Sequence, residues 1–256
     1  MAPKPTLVFV PGSWHCSEAW NKVITELEAK RYYCVSVTLP STLSDPSATF
    51  LSDVEAVRQS ITEETSQGWD VVVVAHSYGG HVASSAVKAL TKPAPSSSTE
   101  DSSGHVIGIA LVASVFTDTG VGFLEVLGGK PPPSWRADVE SGFAVITDDP
   151  KESFYHDLPE EEASYWVGKL TKQALKPLAE GAEYAYSGWR DVPVWYLATK
   201  EDKVLPIDTQ RLLVQSTKDA GADVTLREVE GSHYPMLSRP KETAEFLLDA
   251  VEYFRK

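Results

Sequence analysis

Short runs of apolar, β-branched residues alternate along this chain with segments that carry the apolar stripe of an amphipathic helix. The strand-type runs cover residues 6–10, 33–38, 70–75, 106–113, 194–198 and 224–229. The helix-type segments cover residues 17–30, 53–67, 78–90, 207–218 and 241–255. Repeated strand–helix units favour a parallel sheet, because each helix carries the chain back to the start of the next strand. The pattern predicts an α/β protein with a mostly parallel sheet and helices on both faces.

The alternation stops between residues 116 and 190, where short helix-like pieces rich in aromatic residues follow one another. About 75 residues are too many for a single loop of a compact domain. We therefore expect a helical cap at residues 116–190, inserted into a core formed by residues 1–115 and 191–256. Residues 91–104 are rich in Pro and Ser and lack apolar periodicity, which predicts a flexible surface loop.

The net charge of −13 restricts the partners of the protein. Nucleic acids and anionic membranes recruit basic surfaces, so neither is expected to bind here. Cys16 and Cys34 are the only cysteines, which is too few for a disulfide framework or a cysteine zinc site. No apolar stretch approaches the roughly 18 residues of a membrane span, and the first residues lack the pattern of a secretory leader. We expect a cytoplasmic protein without a metal.

The segment Ala-His-Ser-Tyr-Gly-Gly at residues 75–80 lies between the Val-rich strand and the following helix. A nucleophile elbow needs small residues two places before and after the nucleophile, because the turn is tight and strained. Ala75 and Gly79 meet this need around Ser77. We therefore predict that Ser77 is a catalytic nucleophile. The alternative is that Ser77 only caps the helix that follows it.

A nucleophilic serine needs a base, which in this arrangement follows it in the chain. His233 lies in a loop between the last predicted strand and the last predicted helix, and we predict that it is the base. Two other histidines are less suitably placed, since His105 begins a strand and His156 lies in the cap.

The base needs an acid that orients it, and Asp202 follows a predicted strand at the edge where Ser77 is expected. Pro206, four residues later, is suited to open the next helix. We predict that Asp202 is the acid. Two alternatives stay open: Glu201, the adjacent residue, and Asp118, which follows the preceding strand.

Acyl transfer also needs two backbone donors for the oxyanion. One is expected from the amide of Tyr78, directly after the nucleophile, and the other from Ser13 in the loop after the first strand. Gly12 allows the sharp turn there, although a plain Pro-Gly turn would leave the same pattern.

Residues 10–20, 75–80, 199–206 and 232–237 together resemble the branch of the α/β-hydrolase superfamily that holds plant methyl esterases and hydroxynitrile lyases. The first segment is similar to their His-Gly-x-x-His-Gly-x-Trp loop, lengthened by two residues and with Pro11 in place of the leading histidine. The third resembles their Thr-Glu-Asp-Lys-x-x-Pro segment, and the fourth their Asp-His-Met-x-Met-Leu segment. The resemblance implies the α/β-hydrolase fold.

Two departures from that branch bear on the reaction. The lyases carry a threonine where Gly12 stands and a lysine where Tyr234 stands. Departing cyanide needs a cation, which a tyrosine does not supply. The resemblance therefore implies hydrolysis and not cyanohydrin cleavage.

These residues predict a serine hydrolase that acts on a small, mostly apolar ester or related carbonyl compound and needs no cofactor. We expect Gly12, Trp14 and Tyr234 to contact the substrate, since they flank the predicted oxyanion donor and base. A homodimer is compatible with the sequence. Two alternatives use the same residues: a tailoring enzyme that cleaves a C–C bond or a lactone, and a ligand receptor on the same scaffold.

Overall fold

The computed structural model describes residues 3–92 and 103–256, so residues 93–102 of the predicted surface loop lie outside the described part. Within it, six parallel strands form one sheet and three antiparallel strands form a second. In chain order the nine strands are β1 (Thr6–Val10), β2 (Cys34–Ser36), β3 (Val71–His76), β4 (Val106–Val112), β5 (Trp135–Asp138), β6 (Phe143–Ile146), β7 (Gln173–Ala174), β8 (Val194–Thr199) and β9 (Val224–Val229).

The parallel sheet has the strand order β2-β1-β3-β4-β8-β9, which places β3 and β4 at its centre. Every residue of β1 and β3 is buried, as expected for strands covered on both faces. The prediction of an α/β fold with a mostly parallel sheet is confirmed. Because all six strands run the same way, their carboxyl ends meet along one edge, where loops from several strands converge.

Ten α-helices connect and cover the strands of the described residues: α1 (Asn21–Glu28), α2 (Phe50–Thr65), α3 (Tyr78–Ala86), α4 (Phe123–Val126), α5 (Pro150–Phe154), α6 (Glu160–Gly168), α7 (Lys176–Ala179), α8 (Ile207–Asp219), α9 (Pro235–Ser238) and α10 (Pro240–Phe254). Short 3₁₀ turns cover Ser17–Trp20, Pro40–Thr42, Ala182–Tyr184 and Gly188–Arg190. None of the described helices is long and apolar enough to cross a membrane.

The two faces of the sheet are covered by different helices. In β4, a side chain at Gly108 would meet the Phe254 ring of α10, while Leu111 lies against Gly80 of α3. Residues an odd number of positions apart in a strand point to opposite faces. α10 and α3 therefore pack on opposite sides of β4, as the sequence predicted.

Helix α2 begins three residues before the predicted start at residue 53. Thr49 and Ser52 form a reciprocal capping box: each side chain accepts a hydrogen bond from the backbone N–H of the other residue. This pair satisfies two amides that have no partner within the helix, so it sets the first turn ahead of the apolar stripe.

The segment at residues 116–190 contains more than the helices expected there. β5, β6 and β7 form a three-stranded antiparallel sheet alongside the short helices α4 to α7. A turn joins β5 to β6, in which Asp138 accepts a hydrogen bond from the Ser141 amide and Gly142 has a φ of 75°. The cap expected at residues 116–190 therefore contains strands as well as helices, because this turn and the β-favouring Phe143–Ile146 segment produce a hairpin.

Gly79 offers a steric test of how tightly the end of β1 packs against the start of α3. A Cβ atom at Gly79 would lie 2.4 Å from the carbonyl oxygen of Pro11, which is backbone and has little freedom to move. We predict that Gly79→Ala lowers the free energy of unfolding by about 3 kcal/mol, as measured by urea denaturation.

Gly168, the last residue of α6, is the matched control, because a Cβ there meets nothing within 4 Å. Gly168→Ala should leave stability unchanged or raise it by up to about 1 kcal/mol. Equal changes in the free energy of unfolding for the two substitutions would contradict the close packing of the end of β1 against the start of α3.

Candidate active site

Ser77 occupies the turn between β3 and α3, with φ 51° and ψ −126°. A positive φ is strained for a residue with a side chain, and such strain persists only where the surroundings enforce it. The Ser77 carbonyl accepts a 2.6 Å hydrogen bond from the Ser114 hydroxyl, and its amide donates to the carbonyl of Val112 at 3.2 Å. These bonds hold Ser77 at the edge of the sheet in the geometry of a nucleophile elbow.

His233 lies in the loop between β9 and α9, and its ring is buried. Its Nε2 lies 3.1 Å from Oγ of Ser77, and its Nδ1 lies 2.7 Å from Oδ2 of Asp202. The structure therefore joins the three residues predicted from the sequence in one hydrogen-bonded chain. This is the arrangement in which a histidine can take a proton from a serine while a carboxylate fixes its tautomer.

The Asp202 carboxylate is held by donors on both oxygens. Its Oδ1 accepts from the amides of Val204 and Leu205, each at 2.8 Å, and its Oδ2 accepts from the Thr199 hydroxyl at 2.8 Å. Nε2 of Gln210, a buried residue of α8, lies 3.2 Å from the same Oδ2. Sequence reasoning missed Thr199 and Gln210. The signal that could have found Gln210 is a polar residue on the buried face of a helix.

The alternative residues considered for the base and the acid lie elsewhere. The side chains of Glu201 and Asp118 are exposed, whereas Asp202 is buried against His233. His105 directly precedes β4, and Nδ1 of His156 donates to the carbonyl of Glu152 in the cap at 3.1 Å.

The loop after β1 packs directly onto the elbow. A Cβ at Gly12 would lie 2.8 Å from Nδ1 of His76 and 3.1 Å from Cβ of Ser77, so a side chain at this position would force its neighbours to shift. Ser13, the next residue, lines the same cavity as Ser77. The Tyr78 side chain is buried away from that cavity, and its hydroxyl donates to Asp53. The Tyr78 ring therefore does not line the cavity, and the predicted role of this residue as an oxyanion donor concerns its backbone amide alone.

The cavity at Ser77 is lined mainly by apolar side chains from the core and the cap. Four predicted site residues line it: Ser13, Trp14, Ser77 and His233. The other lining residues are Ala113, Val115, Phe123, Leu127, Pro132, Ser134, Trp135, Ile146, Ser153, Phe154, Leu178, Val204 and Leu205. None of the described lining residues is Asp, Glu, Lys or Arg. The described residues also contain no group of three His, Cys, Asp or Glu side chains that could hold a metal.

Gly12 and Tyr234, two of the three residues expected to contact the substrate, do not line this cavity. The Tyr234 ring is buried and stacks on His15, with ring centroids 4.1 Å apart, and it packs against His76 at 4.4 Å. The Tyr234 ring thus lies behind His233, the predicted base. This corrects the expectation that the Tyr234 side chain contacts the substrate, because its position allows it only to support His233.

Four buried residues near His233 form a supporting cluster: His15, His76, Tyr155 and Tyr234. His15 lies at its centre. Its Nδ1 donates to the carbonyl of Ser13 at 2.8 Å and lies 2.6 Å from the Tyr234 hydroxyl, while its Nε2 accepts from the hydroxyl of Tyr155 in the cap. Burial lowers the pKa of His15 to about 3. The ring is therefore neutral near pH 7, as the donor and acceptor roles of its two nitrogens require.

His76 supports the base from the other side. Its Nε2 donates to the backbone carbonyl of His233 at 2.8 Å, and burial lowers its pKa well below the usual range. Sequence reasoning gave no role to His76 or Tyr155. Their contacts join residues 140 to 157 positions apart, and only the folded chain brings such residues together.

Comparison with known proteins places the chain in a family. Residues 7–246 match the alpha/beta hydrolase family. The chain belongs to this family. The alpha/beta hydrolase nvfD of Aspergillus novofumigatus is 28% identical over 251 residues, which cover 97% of each chain. Methylesterase 2 of Arabidopsis thaliana is 25% identical over 274 residues, which cover 98% of this chain and 97% of the relative.

A crystal structure of polyneuridine aldehyde esterase superimposes with a TM-score of 0.76 at 20% identity, covering 97% of this chain and 99% of that chain. At this identity the superposition shows the fold alone. Together with the matched relatives, it confirms the predicted resemblance to the plant methylesterase branch and the assignment of the chain as a hydrolase.

Behind the elbow, the buried carboxylate of Asp53 links α2 to Tyr78. It accepts hydrogen bonds from the Ser41 amide at 2.9 Å and from the Tyr78 hydroxyl at 2.8 Å. Burial raises the pKa of Asp53 to about 6, because the charged form loses its hydration. The contact fixes the residue whose amide is the predicted oxyanion donor.

The raised pKa of Asp53 makes stability depend on pH. Between about pH 4 and 6 the folded protein keeps a proton on Asp53 that the unfolded chain releases, so this contribution to stability is lost as the pH rises. We predict that Asp53→Asn, which has no charge to bury, gains about 3 kcal/mol relative to wild type between pH 4 and 7. Urea unfolding of both proteins at several pH values measures this difference in stability. A difference that does not change with pH would refute the raised pKa of Asp53.

Proposed function

We propose that this hydrolase is a serine esterase that cleaves a small, neutral, mostly apolar ester through an acyl-enzyme. The observation that carries the proposal is the chain of hydrogen-bonding atoms from Oγ of Ser77 through His233 to Asp202. This hydrogen-bonded arrangement suits nucleophilic catalysis, because serine is a weak nucleophile until a base removes its proton. The relatives named as methylesterases and esterases favour an ester as the substrate.

In the first half of the proposed reaction, Nε2 of His233 takes the proton of Ser77 as Oγ attacks the ester carbonyl. The amides of Ser13 and Tyr78 donate to the oxyanion of the tetrahedral intermediate. The C–O bond to the alcohol then breaks, and His233 returns the proton to the leaving oxygen. Asp202 stays ionised throughout and stabilises the imidazolium that forms.

In the second half, water replaces the alcohol. His233 takes a proton from the water as it attacks the acyl carbonyl, and the same two amides stabilise the second oxyanion. Collapse of this intermediate breaks the bond to Oγ, and the proton returns to Ser77. The acid leaves, and the enzyme is restored without any cofactor.

The lining of the cavity supports a neutral substrate. Trp14, Trp135 and Phe154 contribute aromatic surface, and no described Lys or Arg lines the cavity to pair with an anionic group. A free carboxylate would lose its hydration on entry without a partner, which disfavours charged substrates.

The nucleophile can be tested with a covalent probe. A fluorophosphonate should label the native protein once, at Ser77, because only a serine activated by a base reacts readily. Ser77→Ala should abolish the labelling, while Ser164→Ala, which removes an exposed hydroxyl of the cap, should leave it unchanged. Mass spectrometry of the labelled peptide gives the site, and labelling that survives Ser77→Ala would remove Ser77 from its role.

The acid can be tested by matched amide substitutions. Asp202→Asn keeps the shape but removes the charge that stabilises His233, so kcat should fall by roughly 10⁴-fold with little change in KM. Glu201→Gln changes an exposed neighbour and should cost less than about tenfold. Steady-state kinetics on one ester measures all variants. A large loss in Asp118→Asn with none in Asp202→Asn would transfer the role of the acid to Asp118.

The reaction class can be tested with a panel of aryl esters, methyl esters, lactones and β-diketones. We expect Ser77-dependent turnover of the esters. Turnover of a β-diketone without turnover of any ester would replace the proposal by C–C bond cleavage, and tight binding without turnover would replace it by a receptor.

A further inference from the structure

Ser153 is a buried residue of the apolar cavity whose hydroxyl has no role in the proposed reaction. Ser153 lies on α5 of the cap, lines the cavity and is only 7% exposed. Its amide donates to the carbonyl of Asp149 at 3.0 Å, which keeps it in the helix. Its hydroxyl has no hydrogen-bond partner among residues 3–92 and 103–256.

The other hydroxyls at the cavity lie beside the nucleophile or belong to less buried residues. Ser77 is the proposed nucleophile. Ser13 is also buried and its hydroxyl has no partner among the described residues, but it lies in the loop after β1 beside Ser77 and not in the cap. Ser134 also lines the cavity without a partner for its hydroxyl among the described residues, but it is only half-buried and stays open to water. Among the described lining residues, Ser153 alone combines a buried side chain, a place in the cap and an unpaired hydroxyl.

An unpaired hydroxyl in such a cavity discriminates between ligands. Water can satisfy it while the cavity is free of substrate. A purely apolar acyl chain that displaces the water leaves the hydroxyl without a partner, which weakens binding, whereas a chain with an oxygen at the same place restores the bond. A cationic or anionic group on the chain would find no counter-charge in the lining.

We propose that Ser153 is a specificity-determining residue that hydrogen-bonds a second, neutral oxygen of the substrate, a ketone or a hydroxyl separate from the scissile carbonyl. The inference rests on the proposed esterase function. It narrows the substrate class from apolar esters to esters that carry one further oxygen on the part of the molecule held by the cap.

Matched esters test the proposal. The plain series consists of chromogenic esters of unbranched acids. The oxo series has the same leaving group, and a ketone replaces one methylene at successive positions of the acyl chain. Wild type should prefer one oxo position over its plain counterpart by about tenfold in kcat/KM, the effect of one hydrogen bond in a desolvated site.

Ser153→Ala should remove this preference, because kcat/KM falls for the favoured oxo ester and rises for its plain counterpart, which no longer leaves a hydroxyl without a partner. Ser134→Ala is the matched control, since it deletes the same atoms from the more exposed wall, and it should keep most of the preference. Equal rates of fluorophosphonate labelling in the three proteins show that the Ser77 site is intact in each.

The outcomes separate this proposal from the function on which it rests. Hydrolysis of plain esters with no oxo preference at any position would overturn the role of Ser153 and leave the esterase standing. A preference that survives Ser153→Ala, or that is lost in Ser134→Ala instead, would also overturn it. Absence of both labelling and ester turnover would refute the esterase itself.

Discussion

The strained backbone of Ser77 depends on contacts made by two neighbouring strands. Its carbonyl is held by Ser114, which follows β4, while Gly79 packs against the backbone of Pro11, which follows β1. A positive φ at a serine is unfavourable by itself, so these contacts must maintain it. The same contacts bring the loop that contains Ser13 against the nucleophile. The adjacent strands β1, β3 and β4 therefore fix both the proposed nucleophile and one predicted oxyanion donor in a single packing arrangement.

The proposed base, His233, depends on a second set of interactions, behind the sheet edge. His233 is bonded at its ring to Asp202 and at its carbonyl to His76, and Tyr234 fills the space between His76 and His15. The His15 and His76 rings are neutral at pH 7 because burial lowers their pKa values. Neutral neighbours do not repel the imidazolium that forms on His233 during the proposed reaction, so the cluster supports the base without opposing its charge.

The cap is tied to this cluster by individual hydrogen bonds. Tyr155 donates to His15, Trp14 donates to the carbonyl of Ala144 in β6 at 2.9 Å, and Ser232 donates to the carbonyl of Phe154 at 2.7 Å. These hydrogen bonds fix the position of the cap residues that line the cavity relative to the residues that surround Ser77. A cap attached in this way can position a substrate against the nucleophile, which is where the proposed selectivity of Ser153 arises.

Much of the fold and the hydrogen-bonded chain at the site could be predicted from the sequence, because both follow from local patterns. The apolar runs define the strands, and a parallel sheet brings the residues after β3, β8 and β9 to one edge. Features set by long-range packing could not be predicted. The Tyr234 ring turned behind the base because His15, far away in the chain, offers a stacking partner there.

The cap hairpin and the early start of α2 were missed for another reason. Each depends on a few turn or capping residues that apolar periodicity does not register, such as Gly142 and the Thr49–Ser52 pair.

The central claim is that hydrolysis passes through an acyl group on Ser77, and product partitioning tests it most directly. Two esters of the same acid with different alcohols are hydrolysed in water that contains a second, non-substrate alcohol as a competing nucleophile. A common acyl-enzyme must divide between water and that alcohol without memory of the leaving group, so both esters should give the same ratio of transesterified to hydrolysed product. A ratio that differs between the two esters would show direct attack by water and contradict the account.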